Sequence, residues 1–537
     1  MAMRGFLFLV LVLNGLSTIG QGLANYNIVL VEDDINGLPG LQSFAVGEYD
    51  GEWVFLGGRT EGLHRRQPWA SFQEVGSNKT AYVVNPESGS VWSASLASLP
   101  APLFEQLQSS NTLFHQLDTT LYILGGYGFS ASTGDHITYP NLTEVLVPAL
   151  IQAIKVGEVT DAAFRQLTDE RMRVTGGYLG YLDGRFYIIG GQNFEGRYNP
   201  MGPTHGPGFI QEYTNEIRSF TVTESSGTLA IADYTFIRDT ANLHRRDLNV
   251  VPQIFPNGQP GFTAFSGVFQ YSQDIPWLNS VDIIPGSYSV NNDFSQFLNQ
   301  YHTAHIAMHD VETNSMHTVF FGGISRYTLD SGGNLVDDPD VPFVKTISLV
   351  TRDASGKMTE VQIGEMPALL GSSAEFLVHP DAPLKMPEVI DLASVSSDSL
   401  LIGYIAGGIE SSLPNIFWIN DGTQSVASSR LFKVYLVEGE VTSTNSVGVN
   451  PEGYFDVAVF PNPVQGDVKI EFSVRRTESI HVVIIDNKGT VVRDVKHTTM
   501  GPGRYQFEAN CQGLPSGIYH VRISGGNMIA TKRFAIQ

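Results

Sequence analysis

The chain has one cysteine, Cys511, in 537 residues. No intramolecular disulfide can form, and no CxxC zinc site or iron–sulfur cluster can be assembled. Basic residues are scarce too: 32 Lys and Arg stand against 54 Asp and Glu, for a formal net charge of −22. Nucleic-acid binders need a basic footprint, and docking on anionic membranes needs polybasic segments, so neither partner is expected. The longest apolar run, Phe6 to Leu13, is far shorter than the roughly 20 residues of a membrane-spanning helix. No transmembrane segment is therefore expected. Signature motifs of catalysis are also missing: the chain has no G-x-S-x-G, H-E-x-x-H, P-loop or EF-hand loop. Against these absences stands a hydrophobic fraction of 42%, enough for a sizeable core.

The N-terminus is built like a secretory signal. Arg4 is followed by the apolar run, then by small residues with Gly22 and Ala24 at plausible −3 and −1 positions. Residues 1–24 are read as a signal peptide, and the mature chain as starting near Asn25.

From 25 to 440 the sequence repeats. An apolar strand ending in a glycine pair occurs as WVFLGG (Trp53–Gly58), LYILGG (Leu121–Gly126), FYIIGG (Phe186–Gly191), VFFGG (Val319–Gly323) and LIGYIAGG (Leu401–Gly408). A degenerate copy, Phe262 to Phe269, carries Ser266-Gly267 in the glycine positions. Strand repeats at this spacing predict a propeller. Each glycine-pair strand follows an earlier strand across a turn, as at Asp183-Gly184, and a third strand follows, as at Glu216–Thr223 and Leu431–Val437. The repeat resembles the kelch family of β-propellers, though the Tyr and Trp that usually follow the glycine pair are mostly missing. The resemblance implies an all-β, six-bladed kelch-like β-propeller. The last unit lacks a strand, and Tyr26–Val31 is expected to supply it and close the ring.

Residues 441–454 (beginning VTSTNSVGV) read as a linker. Beyond it, 455–537 shows about seven short strands at the spacing of a small immunoglobulin-like β-sandwich. FPNP, a strand–DNKG–strand hairpin, LPSGIYHVRI and the terminal TKRFAIQ resemble the C-terminal sorting domain of the type IX secretion system of Bacteroidota. Pro461, Asn462, Pro463, Gly517, Tyr519 and Lys532 match that family's recurring positions. Gly517 is expected to admit φ > 0 and Tyr519 to pack on a sheet face. The resemblance implies passage through the periplasm, recognition by the type IX translocon, and a secreted or cell-surface product.

For chemistry, one distribution stands out. Arg173, Arg246 and His302 precede first strands, whereas Arg66, Arg197 and Arg326 follow glycine pairs. In a four-stranded blade both kinds of loop emerge on one face. These six residues are the ligand-binding candidates. Guanidinium groups suit a carboxylate or phosphate, which points to an anionic glycan or protein ligand. The alternative is that they pair with Asp and Glu to tie blades together. His302, His305 and His309 are expected not to share a metal, because residues 302 and 305 of one strand face opposite ways. Asp337, Asp338 and Asp340 form a weak calcium candidate. No catalytic residue and no cofactor is assigned. Galactose oxidase, also kelch-like, needs a Cys–Tyr crosslink that a propeller without cysteine cannot form. The leading function is non-catalytic binding. The alternatives are a secreted carbohydrate-active enzyme of the mutarotase or lyase type, a class found among kelch-like propellers, and a structural surface-layer protein.

Overall fold

The computed structural model describes Leu23, 26–439 apart from 272, 331 and 332, 447–448, Phe455, and 457–537 apart from 475–476, 487–489 and 526–527. The signal peptide (1–24) and the linker (441–454) fall almost wholly outside the described residues.

The hairpin signals in the sequence become hairpins. Tyr178–Leu182 and Arg185–Ile189 pair antiparallel across Asp183-Gly184, both at positive φ (50° and 76°), as a tight two-residue turn demands. Two further strands, Glu216–Ser225 and Thr228–Arg238, complete a four-stranded sheet. The same antiparallel order recurs along the chain. The first sheet begins at Ala45–Tyr49, the second at Leu113–Leu117, the fourth at Asn249–Ile254 and the fifth at His305–Asp310. The sixth runs from Leu369–Val378 through Ser399–Ser411 and Leu431–Glu438 to β1, Tyr26–Asp33. β1 thus comes from the N-terminus to complete the last sheet, with Tyr26 opposite Glu438 and Asp33 opposite Leu431. The chain is all-β, a propeller followed by a β-sandwich.

The second strands are apolar on both faces because both are covered. Trp53 to Leu56 is buried throughout, and Trp53 meets Tyr404 of the sixth sheet edge-on with ring centroids 4.8 Å apart. The glycine pairs that end these strands explain themselves by contact. All are in the left-handed region, from Gly57 (67°) and Gly58 (81°) to Gly407 (68°) and Gly408 (88°). The second glycine donates its N–H to the next sheet: Gly58 to Ser109 at 2.8 Å, Gly126 to Val174 at 3.0 Å, Gly191 to Arg245 at 2.8 Å, Gly323 to Leu370 at 3.0 Å. A Cβ on the first glycine would meet that same carbonyl, at 2.6 Å for Gly57 and 2.7 Å for Gly190. Glycine is required here by both φ and space.

Two helices had no clear signal in the repeat pattern. α1 (Ala101–Leu107) joins the first two sheets, and α2 (Val147–Val156) lies between the third and fourth strands of the second. α2 buries Val147, Leu150, Ile151 and Ile154 on one face and stops at Gly157, left-handed at φ 80°.

The C-terminal module packs a three-stranded sheet (Ala458–Phe460, Asp467–Val474, Gly503–Asn510) on a four-stranded one (Glu478–Ile485, Val491–Met500, Gly517–Gly525, Met528–Ile536). Cys511 is buried in it as a free thiol. Pro461, Asn462 and Pro463 are exposed, and Asn462 Oδ1 accepts the amide of Ala535 at 2.9 Å, clipping the FPNP turn to the terminal strand. Tyr519 is buried, with its hydroxyl donating to Pro515 O at 2.9 Å, and Lys532 is exposed. Gly517 corrects an expectation: its φ is not in the left-handed region, and it simply opens an extended strand.

Candidate functional site

The innermost strands of the six sheets surround a cavity of about 630 Å³, within the range of small-molecule sites. Its lining follows the repeat. The residue just after the glycine pair faces it in most sheets, as Arg59, Tyr127, Gln192, Ile324 and Ile409. The segments leading into the first strands add Gln42, Ser110, Thr175, Arg246 and Tyr301. The two sets are bridged: Gln42 pairs with Arg59, Ser110 with Tyr127, and Thr175 with Gln192.

One end of this channel is aromatic. His64, Phe72, Tyr198 and Phe417 form a contiguous group, with His64 4.7 Å from Tyr198 and 5.5 Å from Phe417 between ring centroids. Burial pushes His64 down to about 4, against its backbone hydrogen bond, and the nearby Arg246 and Arg59 charges push the same way. Arg59 is buried, ion-paired to Glu61, and lies over the Phe72 ring.

Of the six binding candidates, two reach the cavity. Arg246 lines it, ion-paired to Asp247, with Nε donating to the Tyr213 hydroxyl at 3.1 Å. Burial works against its charge, but Asp247, Tyr213 and Tyr198 outweigh it, so its pKa is raised. His302 also lines the cavity, its Nε2 3.9 Å from Glu375 Oε1. The other four lie elsewhere. Arg173 is paired with Glu170 and donates to Thr138 O at 2.8 Å. Arg326 is buried and bidentate on Asp337, at 2.7 and 3.2 Å. Arg197 donates to Trp69 O at 2.6 Å, and Arg66 is exposed. Arg66 and Arg197 make no ion pair among the described residues, and both lie beside the aromatic end: Arg197 precedes Tyr198 in the chain, and Arg66 N donates to the O of Asn420, whose side chain also donates to His64 O.

The histidine reading changes. The strand begins only at His305, so His302 is free of its alternation, and both rings face the cavity with centroids 6.4 Å apart. Among the described residues no three His, Cys, Asp or Glu side chains converge with metal spacing. In the acidic loop Asp337 holds Arg326, Asp338 accepts from Asn415 at 2.9 Å, and Asp340 lines the cavity.

The deeper end collects ionisable groups of which the sequence pattern singled out His302 but not Glu375, Glu388 or Tyr178. Burial raises Glu375 well above the usual carboxylate range, and the neighbouring Glu388 charge adds to this. Burial pushes His302 down to about 3, with His305 adding to it. Burial thus disfavours charge on both members of the pair. Glu388 also lines the cavity, with its side chain 45% exposed, and desolvation by the surrounding protein raises its pKa. Tyr178, 3.5 Å from Glu388, is raised as well, again by burial first. Glu375 sits inside the first strand of the sixth sheet, not in the segment before it or in a loop after a glycine pair, so the loop pattern carries no signal for it.

Residues 458–537 match the family described as the secretion system C-terminal sorting domain. The protein is therefore exported by the type IX route, to the cell surface or beyond it. Among the described residues no helix is long and apolar enough to cross a membrane. No curated protein matches the chain. Among solved structures, the one titled "Structure of YjhT" is similar over 76% of this chain and 97% of its own, at 12% identity and a TM-score of 0.40. A novel fungal alcohol oxidase of the AA5 family, in complex with copper, is similar over 95% and 99%, at 11% identity and a TM-score of 0.34.

Proposed function

We propose that this is a six-bladed kelch-like propeller (residues 25–440) that binds a carbohydrate, preferably one with an anionic group, in its central channel. A signal peptide (1–24) and, beyond a linker (441–454), the sorting domain (455–537) deliver it to the cell surface or medium. The observation that carries this reading is the channel itself: a cavity of about 630 Å³ whose mouth combines aromatic rings with arginines on a strongly acidic protein. Aromatic faces suit sugar rings, and Arg66, exposed, and Arg197, bonded to a backbone carbonyl, have no carboxylate partner among the described residues and suit an anionic substituent. Arg246 acts from inside the wall, with its charge already matched by Asp247. His302 is a neutral polar contact.

A glycan array on the purified propeller tests this. Binding of acidic glycans that falls at least tenfold on Arg246→Ala and on Arg66→Ala supports it. Undiminished binding in both variants overturns the site.

A second reading is an acid–base enzyme, favoured by Glu375 and His302 at 3.9 Å inside a channel that shifts both pKa values. A turnover screen on free sugars and glycans separates the two. Turnover abolished by Glu375→Gln with binding retained makes the protein an enzyme, and binding without turnover leaves it a receptor.

A further inference from the structure

We propose that the channel is blind at its deep end and admits the terminal unit of a glycan chain, with the following units lying outward over an aromatic rim. The proposal rests on the carbohydrate reading above and narrows it to chain ends. Between its first two strands the sixth sheet sends out a hairpin, Leu384–Met386 paired with Val389–Asp391. Its second strand runs parallel to the innermost strand of the fifth sheet, with Ala307 opposite Val389 and His309 opposite Asp391. That position is the far end of the cavity, where Ala307 and Val378 line the wall.

The hairpin tip then crosses the channel. Glu388, at φ 62°, lies 3.5 Å from the Tyr178 hydroxyl of the third sheet and 4.0 Å from His115 of the second. A residue borne on the fifth and sixth sheets thus reaches the second and third, on the opposite side of the ring. Phe114, Phe376 and Val378 line the same cavity as Glu388.

The mouth is the reverse. Three large rings stand in solvent there: Trp69 (68% exposed), Tyr271 (70%) and Trp418 (50%). Trp418 itself lines the cavity. Trp69 is held by Arg197. Tyr271 stands edge-on to His244, which stacks on Tyr213, the partner of Arg246. Exposed apolar groups gathered at a cavity rim mark a binding surface. A polymer bound through its interior needs two ways out of a channel, and a floor leaves one. Only an end can enter, and the next sugar rings then meet the exposed aromatics.

The floor is tested without any ligand. Val378→Cys in a Cys511→Ser background is labelled with a small methanethiosulfonate, with and without replacement of residues 384–388 by two glycines. Shortening the hairpin is expected to raise the labelling rate about tenfold by opening a second path. Equal rates overturn the floor. Glu388→Ala leaves the hairpin backbone in place and is expected to raise the rate more modestly, about threefold; it decides the matter should the shortened protein not fold, and an unchanged rate there counts against the floor. The chain-end preference is read with polygalacturonate before and after partial hydrolysis at constant mass. Binding capacity that rises with the number of ends supports the proposal, and capacity indifferent to fragmentation overturns it. If neither form binds, the anionic-carbohydrate reading fails, while the labelling still decides the floor.

Discussion

The amide of Gly408, in the sixth sheet, donates to the carbonyl of Leu41, just ahead of the first, at 2.8 Å. The last repeat is therefore tied to the first by the same bond that ties the others to their successors. Together with β1, which completes the sixth sheet, it closes the ring without a disulfide.

Glycine at these contacts is expected to matter more than glycine in an open turn. Gly407 has φ 68°, and a Cβ there would lie 2.5 Å from Leu41 O, whereas Gly286, at φ 75°, has nothing within 4 Å. Gly286→Ala should cost about 1 kcal/mol from the left-handed backbone alone. Gly407→Ala should cost about 3 kcal/mol, because the clash at the closure adds to the same strain. Urea unfolding of the two variants checks this, and equal losses would show that the close approach relaxes freely.

Arg245 is expected to be a structural keystone of the fourth repeat, where Ser266 replaces a glycine. Its guanidinium is buried over Trp277 and donates to Asn242 O at 2.8 Å, Ser266 O at 2.8 Å and Asn279 O at 2.9 Å. Burial lowers its pKa to about 9, so it stays charged at neutral pH. Arg245→Met leaves those carbonyls unpaired and should destabilise the fold by about 3 kcal/mol. A melting temperature equal to that of the unmodified protein would contradict this.

Stability should fall as pH rises through neutrality, in part because of Glu360. It is buried, and burial pushes its pKa up to about 8, against the amides of Phe297 and Leu298 that it accepts at 2.8 and 3.2 Å. An acid raised on folding stays protonated in the fold after the unfolded chain has ionised. Its contribution is therefore full below about 4.5 and is lost as pH climbs to about 8. Glu360→Gln is expected to flatten this decline, which denaturation at a series of pH values would detect. An unchanged slope would show that Glu360 is ionised in the fold.

Export should depend on the C-terminal module. Deleting 455–537 is expected to leave the protein in the periplasm, and surface display of the truncated chain, read by protease shaving, would refute that. Asn462→Ala removes the acceptor for the Ala535 amide and should lower secretion by loosening the FPNP turn from the last strand.

Much of the fold could be read directly. The glycine pairs, the Asp183-Gly184 turn and the missing strand of the last repeat are local or countable features, and backbone sterics translate them into structure. The site was half legible. Arg246 and His302 precede first strands, and those positions do face the channel. Arg173 and Arg326 occupy equivalent loops and pair with Glu170 and Asp337 outside the cavity lining, whereas Arg246, paired just as closely with Asp247, lies in it. No periodicity announces which neighbour wins a guanidinium.

What the sequence determined by itself is thus the repeat, its closure and its export, because the repeat rests on residues near one another, the export on one complete module, and the closure on a strand that can be counted as missing from the last unit and present before the first. Only the tertiary structure decided what the channel contains. Glu375, Glu388, Tyr178 and His115 come from different sheets, and their shifted pKa values and contacts exist only once the ring has removed them from bulk water.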